Sequence, residues 1–534
     1  MSGKSFVKGA LVLSAAGILA KCLGALYRIP FGYIASEECL ALYTMVYPIY
    51  NLLLALSTAG IPLAISKLVA EYEEQGKSGM SMRILKLSLL VLSAVGILVG
   101  VFIFVNADWL AANVFPDDRV AWSLRLIAPA MVFSCMQAVF RGYFQGLQEM
   151  VPTAVSQITE QFVRVGVIFV ALFALMPYGD TVVAAGANAG ASIGGCAAFL
   201  LMLTIFVRHR KKRGNKIAEQ QDEPVSNSQV IGKVLALAIP ISIGSLVLPI
   251  MQSIDSLLVV PRLEAGGMSH TEAMAWFAYL GGCVQPILNL PFMLTTAIAA
   301  SLVPNISEAL AMGQKEKVTN TFANAMQLAI LIVLPATVGL MTLAYPIIEL
   351  LYPTKPDAGL PMFWSAAVVL MVGIYQISAG TLQGMGKAMV PMYSLLLGAA
   401  IKIILTYTMT AMPVLGVRGA ALASVIGFAV AAGNNVCQVS RKIGWNWLST
   451  RYHVVKPVIS VAAMAVLVLG SYYGLYALLG SNGLAVLLSI LIGGCAYFAV
   501  LLAIGGVSLE IIRKVPKVGN KLAALLLKLN LVRE

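Results

Sequence analysis

Long apolar runs, separated by short polar breaks, fill the chain from end to end. Fourteen stretches of mainly apolar residues have cores at 9–31, 43–66, 84–105, 122–144, 152–175, 182–206, 233–259, 274–300, 321–345, 362–383, 390–411, 418–438, 457–479 and 484–505. A run of about 20 such residues is long enough to cross the hydrocarbon core of a bilayer as a helix. Lipid offers no partner to an unpaired backbone group, so helices are the default for this pattern. A membrane barrel would instead show short alternating segments, which do not occur. The pattern predicts an all-α polytopic membrane protein with 14 transmembrane helices and no room for a soluble domain.

The pattern also repeats. PIYNLLLALSTA at 48–59 is answered by PILNLPFMLTTA at 286–297, a shift of 238. The same shift carries Gly142, Gln145 and Gly146 to Gly380, Gln383 and Gly384, and Met150-Val151-Pro152 follows one residue later as Met389-Val390-Pro391. A duplicated apolar chain marks a two-lobed transporter with its substrate path between the lobes. The one long polar stretch, 208–229, divides spans 1–6 from spans 7–12. The expected organisation is an N-lobe at 1–207, a cytoplasmic linker at 208–229 and a C-lobe at 230–440. Spans 13–14 follow at 441–505, then a basic amphipathic cytoplasmic tail at 506–534 that lies on the membrane interface. Six spans per lobe is an even number, so both lobes enter the membrane in the same sense, and their pseudo-two-fold axis runs along the membrane normal.

Composition agrees with this reading. The chain is 59% hydrophobic and 11% charged, where soluble domains carry about 25% charged residues. The net charge of +13 is topological. Lys and Arg crowd alternate loops (Lys77, Arg83 and Lys86; Arg208 to Arg213; Lys315 and Lys317; Lys387; Arg441, Lys442 and Arg451). The intervening loops hold Glu37, Glu38, Asp108, Asp117, Asp118, Asp180 and Asp357. Cytoplasmic loops are the cation-rich ones, so both termini are expected in the cytoplasm of a multi-pass plasma-membrane protein. The positive charge attracts anionic lipid and makes no case for nucleic acid. The first run carries Lys21 and Arg28 and leads into Arg28-Ile29-Pro30, which argues against a cleaved signal peptide. Seven cysteines show no metal or redox spacing, and the three histidines fall in loops, so no metal site is expected.

Charges inside apolar runs are costly and usually face a bundle interior or a wet cavity. They are Lys21, Arg28, Arg125, Arg164 and Lys402 against Glu160 and Asp255. Glu160 and Arg164 are four apart on one helix face and can neutralise each other. Asp255 can pair with a cation or bind a coupling ion. The surplus of cations suits an anionic substrate held by charge-assisted hydrogen bonds. Asn51 and Thr58, with their repeats Asn289 and Thr296, either line the path or join helices. Prolines punctuate the spans, and span 7, with Pro240 and Pro249, is the candidate bent gating helix. There is no Walker A loop, GxSxG or HExxH. Enzyme activity and a cofactor are not expected, so transport must draw on an ion gradient (Na⁺ or H⁺), the membrane potential or the substrate's own gradient.

Together these features resemble the multidrug/oligosaccharidyl-lipid/polysaccharide (MOP) exporter superfamily. The closest look is to the polysaccharide-biosynthesis, stage V sporulation protein B and YtgP-type lipid II flippases of Gram-positive bacteria. The resemblance is carried by SAAGILAKCLGALYRIP (14–30), PIYNLLLALSTAGIPLAISKLVAEY (48–72), GYFQGLQEMVPTAVSQITEQFVR (142–164), QSIDSLLVVPRL (252–263) and GTLQGMGKAMVP (380–391). It implies flipping of a polyprenyl-pyrophosphate-linked glycan from inner to outer leaflet by alternating access, in contact with the lipid bilayer and with cell-wall synthesis proteins as partners. In this family a cationic cavity grips the pyrophosphate. Lys21 matches a basic first-span position of the branch, and Arg28 falls near a second, out of clean register. The Gram-negative branch also has arginines in spans 2 and 8, where this chain reads NLLLAL and QPILNL; Lys402 or Arg164 is the candidate compensation. Three other readings compete. One is a cation-coupled multidrug exporter of the same superfamily using Asp255 and Glu160. Another is a membrane scaffold for cell-wall or spore assembly that transports nothing itself. The third is an enzyme, a glycosyltransferase or polymerase, which needs an acidic catalytic residue in a sizeable loop, and the outer loops are short.

Overall fold

The computed structural model describes residues 16–17, 19–20, 22–58, 60–218, 226–444 and 447–506. Among these every regular element is helical, and twelve helices are long and apolar enough to cross a membrane. Two expected spans lie outside those twelve. The run 9–31 extends over residues that are not described. The run 233–259 is divided at Leu246 into two 19-residue helices. Position 21, the first expected cavity cation, and the tail at 507–534 lie outside the described residues.

The chain packs as two compact units. The first holds α1 (Arg28–Ile34), α2 (Glu37–Thr58), α3 (Ile61–Glu74), α4 (Ser78–Val105), α5 (Ala107–Asn113), α6 (Ala121–Gly146), α7 (Met150–Leu175), α8 (Asp180–Ala218), α9 (Asn227–Ser245), α10 (Val247–Ala265) and α11 (His270–Ala278). The second holds α12 (Gln285–Ala311), α13 (Lys315–Thr342), α14 (Ala344–Leu351), α15 (Gly359–Ser365), α16 (Ala367–Gly384), α17 (Met389–Met409), α18 (Val417–Ile443), α19 (Trp447–Leu479) and α20 (Asn482–Ala503). The helices on either side of the polar linker therefore share one packing unit. α9 lies across α3 at the Gly60 break, where the Gly60 N–H donates to Ser242 Oγ at 3.0 Å. A Cβ at Gly60 would stand 2.1 Å from the Ala238 carbonyl oxygen.

Within each unit the same local structure recurs, and the sequence shift measures it. The α3–α4 turn bonds Gly76 N–H to Glu73 O (3.0 Å) and Lys77 N–H to Tyr72 O (2.8 Å). The α12–α13 turn bonds Gly313 N–H to Leu310 O (2.9 Å) and Gln314 N–H to Ala309 O (2.9 Å). Both are helix stops with a left-handed glycine, at φ 75° and 70°, which needs no side-chain clearance. The α6–α7 and α16–α17 turns repeat this motif at Gln148 and Gly386, with φ 59° and 73°.

The glycines ahead of these turns set the helix contacts. A Cβ at Gly142 would lie 2.8 Å from Pro62 O, and one at Gly146 2.7 Å from Val69 Cβ. In the second unit, Gly380 meets Ala299 O at 2.7 Å and Gly384 meets Ile306 Cβ at 2.8 Å. Small residues four apart let helix backbones approach closely where lipid supplies no hydrophobic drive. The third copy of this device is Gly186, Gly190 and Gly194 on α8, set against Ala171, Arg164 and Glu160 of α7.

Candidate functional site

A polar cluster lies inside the first unit, assembled from α1, α2, α6 and α7. α2 carries Tyr43, Tyr47 and Tyr50 on one face, with ring centroids of successive pairs 6.2 and 6.0 Å apart. The Tyr27 and Tyr43 hydroxyls meet at 2.6 Å. Tyr47 is held from two sides: the Arg28 guanidinium lies over its ring, 4.9 Å from the centroid, and Arg164 Nη1 donates to its hydroxyl at 3.1 Å. Cation–ring contacts of this kind strengthen when they are desolvated.

Glu160 is the anion at the centre. Its Oε1 accepts from Arg164 Nη2 at 2.8 Å, the expected same-face pairing. Its Oε2 accepts from Arg141 Nη2 at 3.0 Å. Arg141, on α6, also donates to Gln137 Oε1 (2.6 Å) and Ser156 Oγ (3.1 Å). Helix packing allows the approach, because Gly190 and Gly194 bring the α8 backbone onto Arg164 and Glu160.

The cluster thus holds Arg28, Arg141 and Arg164 against Glu160, three cations to one anion. Arg164 is 5% exposed. Its Nε and the Nε of Arg28 are buried with no hydrogen-bond partner among the described residues. Buried polar groups are normally satisfied, and an unsatisfied charged donor is expensive. Guanidinium donors of this kind form their strongest hydrogen bonds with oxyanions.

The sequence-predicted residues divide. Arg28, Glu160 and Arg164 come together here. Arg125 does not: it pairs with Asp108 and lies over the Trp122 ring, 5.1 Å from the centroid. Asp108 is 72% exposed in that pair, so the pair is a rim contact that lipid headgroups or water can reach. Lys402 is 2% exposed, in α17 of the second unit. Asp255 is half-buried on α10. The repeated hydroxyls are spent locally, since Thr58 donates to Leu54 O and Thr296 to Phe292 O, each at 2.7 Å. Asn289 accepts from Gln285 at 3.1 Å, and Asn51 is half-buried. Arg141 was missed by sequence reasoning. It sits inside the apolar run 122–144 like the others, but close to the GYFQG break, where a cation looks like a loop residue.

Twelve apolar helices, duplicated helix packing and a cationic cluster buried among the helices define the class: a multi-pass integral membrane protein with charge held inside its bundle. A family model described as "Polysaccharide biosynthesis protein" matches residues 6–310, and a second, "MatE", matches 240–408. The chain belongs to the polysaccharide biosynthesis protein family of the MOP superfamily. Three relatives come from Bacillus subtilis (strain 168). "Uncharacterized membrane protein YabM" is 31% identical, covering 97% of this chain and 96% of its own length. "Stage V sporulation protein B" is 29% identical, covering 83% and 85%. "Lipid II flippase MurJ" is 27% identical, covering 84% of each. Among solved structures, an inward-facing multidrug resistance MATE family transporter of the MOP superfamily aligns with TM-score 0.67 at 16% identity over 82% of this chain and 98% of that one. Lipid II flippase MurJ in an inward closed conformation aligns with TM-score 0.66 at 15% identity over 92% and 98%.

Proposed function

We propose that this protein flips a polyprenyl-pyrophosphate-linked cell-wall precursor, lipid II being the favoured substrate, from the inner to the outer leaflet by alternating access. The observation that carries the reading is the pair of buried, unpartnered guanidinium Nε donors of Arg28 and Arg164, in a cluster with two formal positive charges in excess (three arginines less one glutamate). A pyrophosphate offers the acceptor oxygens that such donors lack. The polyprenyl tail stays in the bilayer while the headgroup exchanges its water for these arginines. Arg141 and Arg164 share Glu160. An arriving pyrophosphate competes for both guanidinium groups, so Glu160 holds them in place before the substrate comes. Loops rich in Lys and Arg put the termini in the cytoplasm on this reading.

The relatives named a lipid II flippase and a sporulation protein support a lipid-linked glycan as cargo. The competing reading, a cation-coupled drug exporter, draws on the MatE match. It needs a carboxylate able to take up and release an ion; of its two candidates, Glu160 has both oxygens engaged by arginines, and Asp255 is half-buried on α10. The charge balance favours the flippase.

The test is complementation of cells depleted of their lipid II flippase, comparing wild type with Arg164→Ala, Arg28→Ala and Arg141→Ala at matched membrane levels. Wild type should rescue growth. Arg164→Ala should abolish rescue, and the other two should weaken it. Failure of well-expressed wild type moves the cargo to another polyprenyl glycan, and rescue by all variants sinks the site.

A further inference from the structure

A second charged network lies at the start of α2, and the proposed cargo path does not use it. It ties three parts of the first unit that are distant in sequence: the start of α2, the turn after α5, and the α10–α11 turn. Asp117 is its node. Oδ1 accepts from the Arg119 backbone N–H (2.9 Å) and from Nε (3.0 Å); Oδ2 accepts from Arg119 Nη2 (2.6 Å). Arg119 Nη1 reaches on to Glu38. From the α10–α11 turn, His270 Nε2 lies 3.1 Å from Asp117 Oδ2, and His270 Nδ1 lies 2.5 Å from Glu264 Oε1. The ring is presented by a fixed helix start, because Ser269 and Glu272 form a reciprocal capping box. Beside it the Tyr279 hydroxyl donates to Glu37. The network borders a cavity of about 630 Å³ that Asp118 and Thr271 also line.

The geometry decides the protonation requirement. Both ring nitrogens of His270 face carboxylate oxygens, and carboxylates only accept. A neutral imidazole has one N–H, so one of the two contacts would set lone pair against lone pair. Only the imidazolium donates to both. Among the described residues, Glu264 from the end of α10 and Asp117 from the turn contact the ring; Arg119 stands behind Asp117 and reaches Glu38 of α2, Asp118 lines the cavity, and Glu272 on the ring's own helix is held by Ser269. Without the imidazolium, Glu264 and Asp117 lose the donor they share, while Asp117 and Glu38 still share Arg119.

We propose that His270 is a proton-operated latch: as imidazolium it joins the α10–α11 turn to Asp117 and Glu264 and holds this face of the transporter shut, and loss of that proton releases it. The proposal rests on the reading of this face as the outer one of a two-sided transporter. Alternating access needs this face to open, and the cavity gives outside protons a route to the ring. Between about pH 5 and 8, where imidazole changes charge, rising outer pH should favour release.

The experiment is a distance measurement by double electron–electron resonance on the full chain in liposomes. Spin labels go at Asn113→Cys and Thr271→Cys, both exposed, with exposed Cys437 and Cys495 changed to serine. Wild type should show one short distance at pH 5 and a longer population that grows roughly tenfold by pH 8.5. His270→Gln should remove the pH dependence, and His270→Arg, charged throughout, should keep the short distance at every pH. Unchanged distances in wild type from pH 5 to 8.5, or the same pH dependence in His270→Gln, would overturn the latch. The readout needs no substrate, so it stands or falls separately from the complementation assay.

Discussion

Single residues here are decided by which partners surround them. Asp117 is buried, which by itself would raise its pKa, but the Arg119 hydrogen bonds, and after them His270, outweigh that and hold its carboxyl below the usual carboxylate range. The sign of the consequence follows. A depressed folded-state pKa means the unfolded chain takes the proton first. The stabilisation is therefore present above the ordinary carboxylate pKa of about 4 and is lost as pH falls through the depressed value. Thermal unfolding in detergent should show an acid-side loss of stability below about pH 4 that Asp117→Asn removes, at the cost of a lower melting temperature at pH 7. An unaltered acid slope in the variant would show that Asp117 is not the group responsible. The arginines follow the same logic of partners. Arg125 and Arg164 look alike in the sequence, each a cation in an apolar run. One ends at an exposed aspartate and the other at a buried glutamate shared with Arg141.

At the scale of elements, glycine spacing does the positioning. The α6–α3 and α16–α12 contacts are built on Gly142, Gly146, Gly380 and Gly384, at the same sequence shift to within a residue. An added methyl at Gly380 would meet backbone, which cannot rotate away. Gly380→Val should therefore cost on the order of 1–3 kcal/mol, seen as a lower unfolding temperature and poor membrane accumulation. Substitution at Gly166, with open space around it, should leave both unchanged and serves as the control. Equal behaviour of the two variants would mean that the contact gives way. Much of this level was legible beforehand. Twelve of the fourteen apolar runs, with the duplicated PIYNLLLALSTA and the GYFQG turn, reappear as membrane-length helices and turns among the described residues, because span length and turn chemistry are local properties. The break at Leu246 was anticipated only as a bend near Pro240 and Pro249. Where the bend falls depends on what packs beside it.

For the whole molecule the question is what would drive the proposed cargo. A pyrophosphate leaving the negative side of a membrane moves with the potential, by about 2.3 kcal/mol per charge for each 100 mV. In proteoliposomes carrying a fluorescent lipid II analogue, an inside-negative potential set with potassium and valinomycin should speed movement from the inner to the outer leaflet, and reversing it should slow that movement. A rate indifferent to potential would exclude it as the driver and leave an ion or substrate gradient. The sequence by itself determined the membrane-spanning helices, the internal duplication and the excess of intramembrane cations. Hydrocarbon thickness, backbone hydrogen bonding and turn geometry act over twenty residues or fewer, and that information lies along the chain. Tertiary structure alone decided the partners. It brought Arg141 to Glu160, sent Arg125 to Asp108, and set His270 against Asp117, 153 residues away. Such pairings depend on how closely helices approach across a packed interior, and no local pattern of apolar and polar residues records that distance.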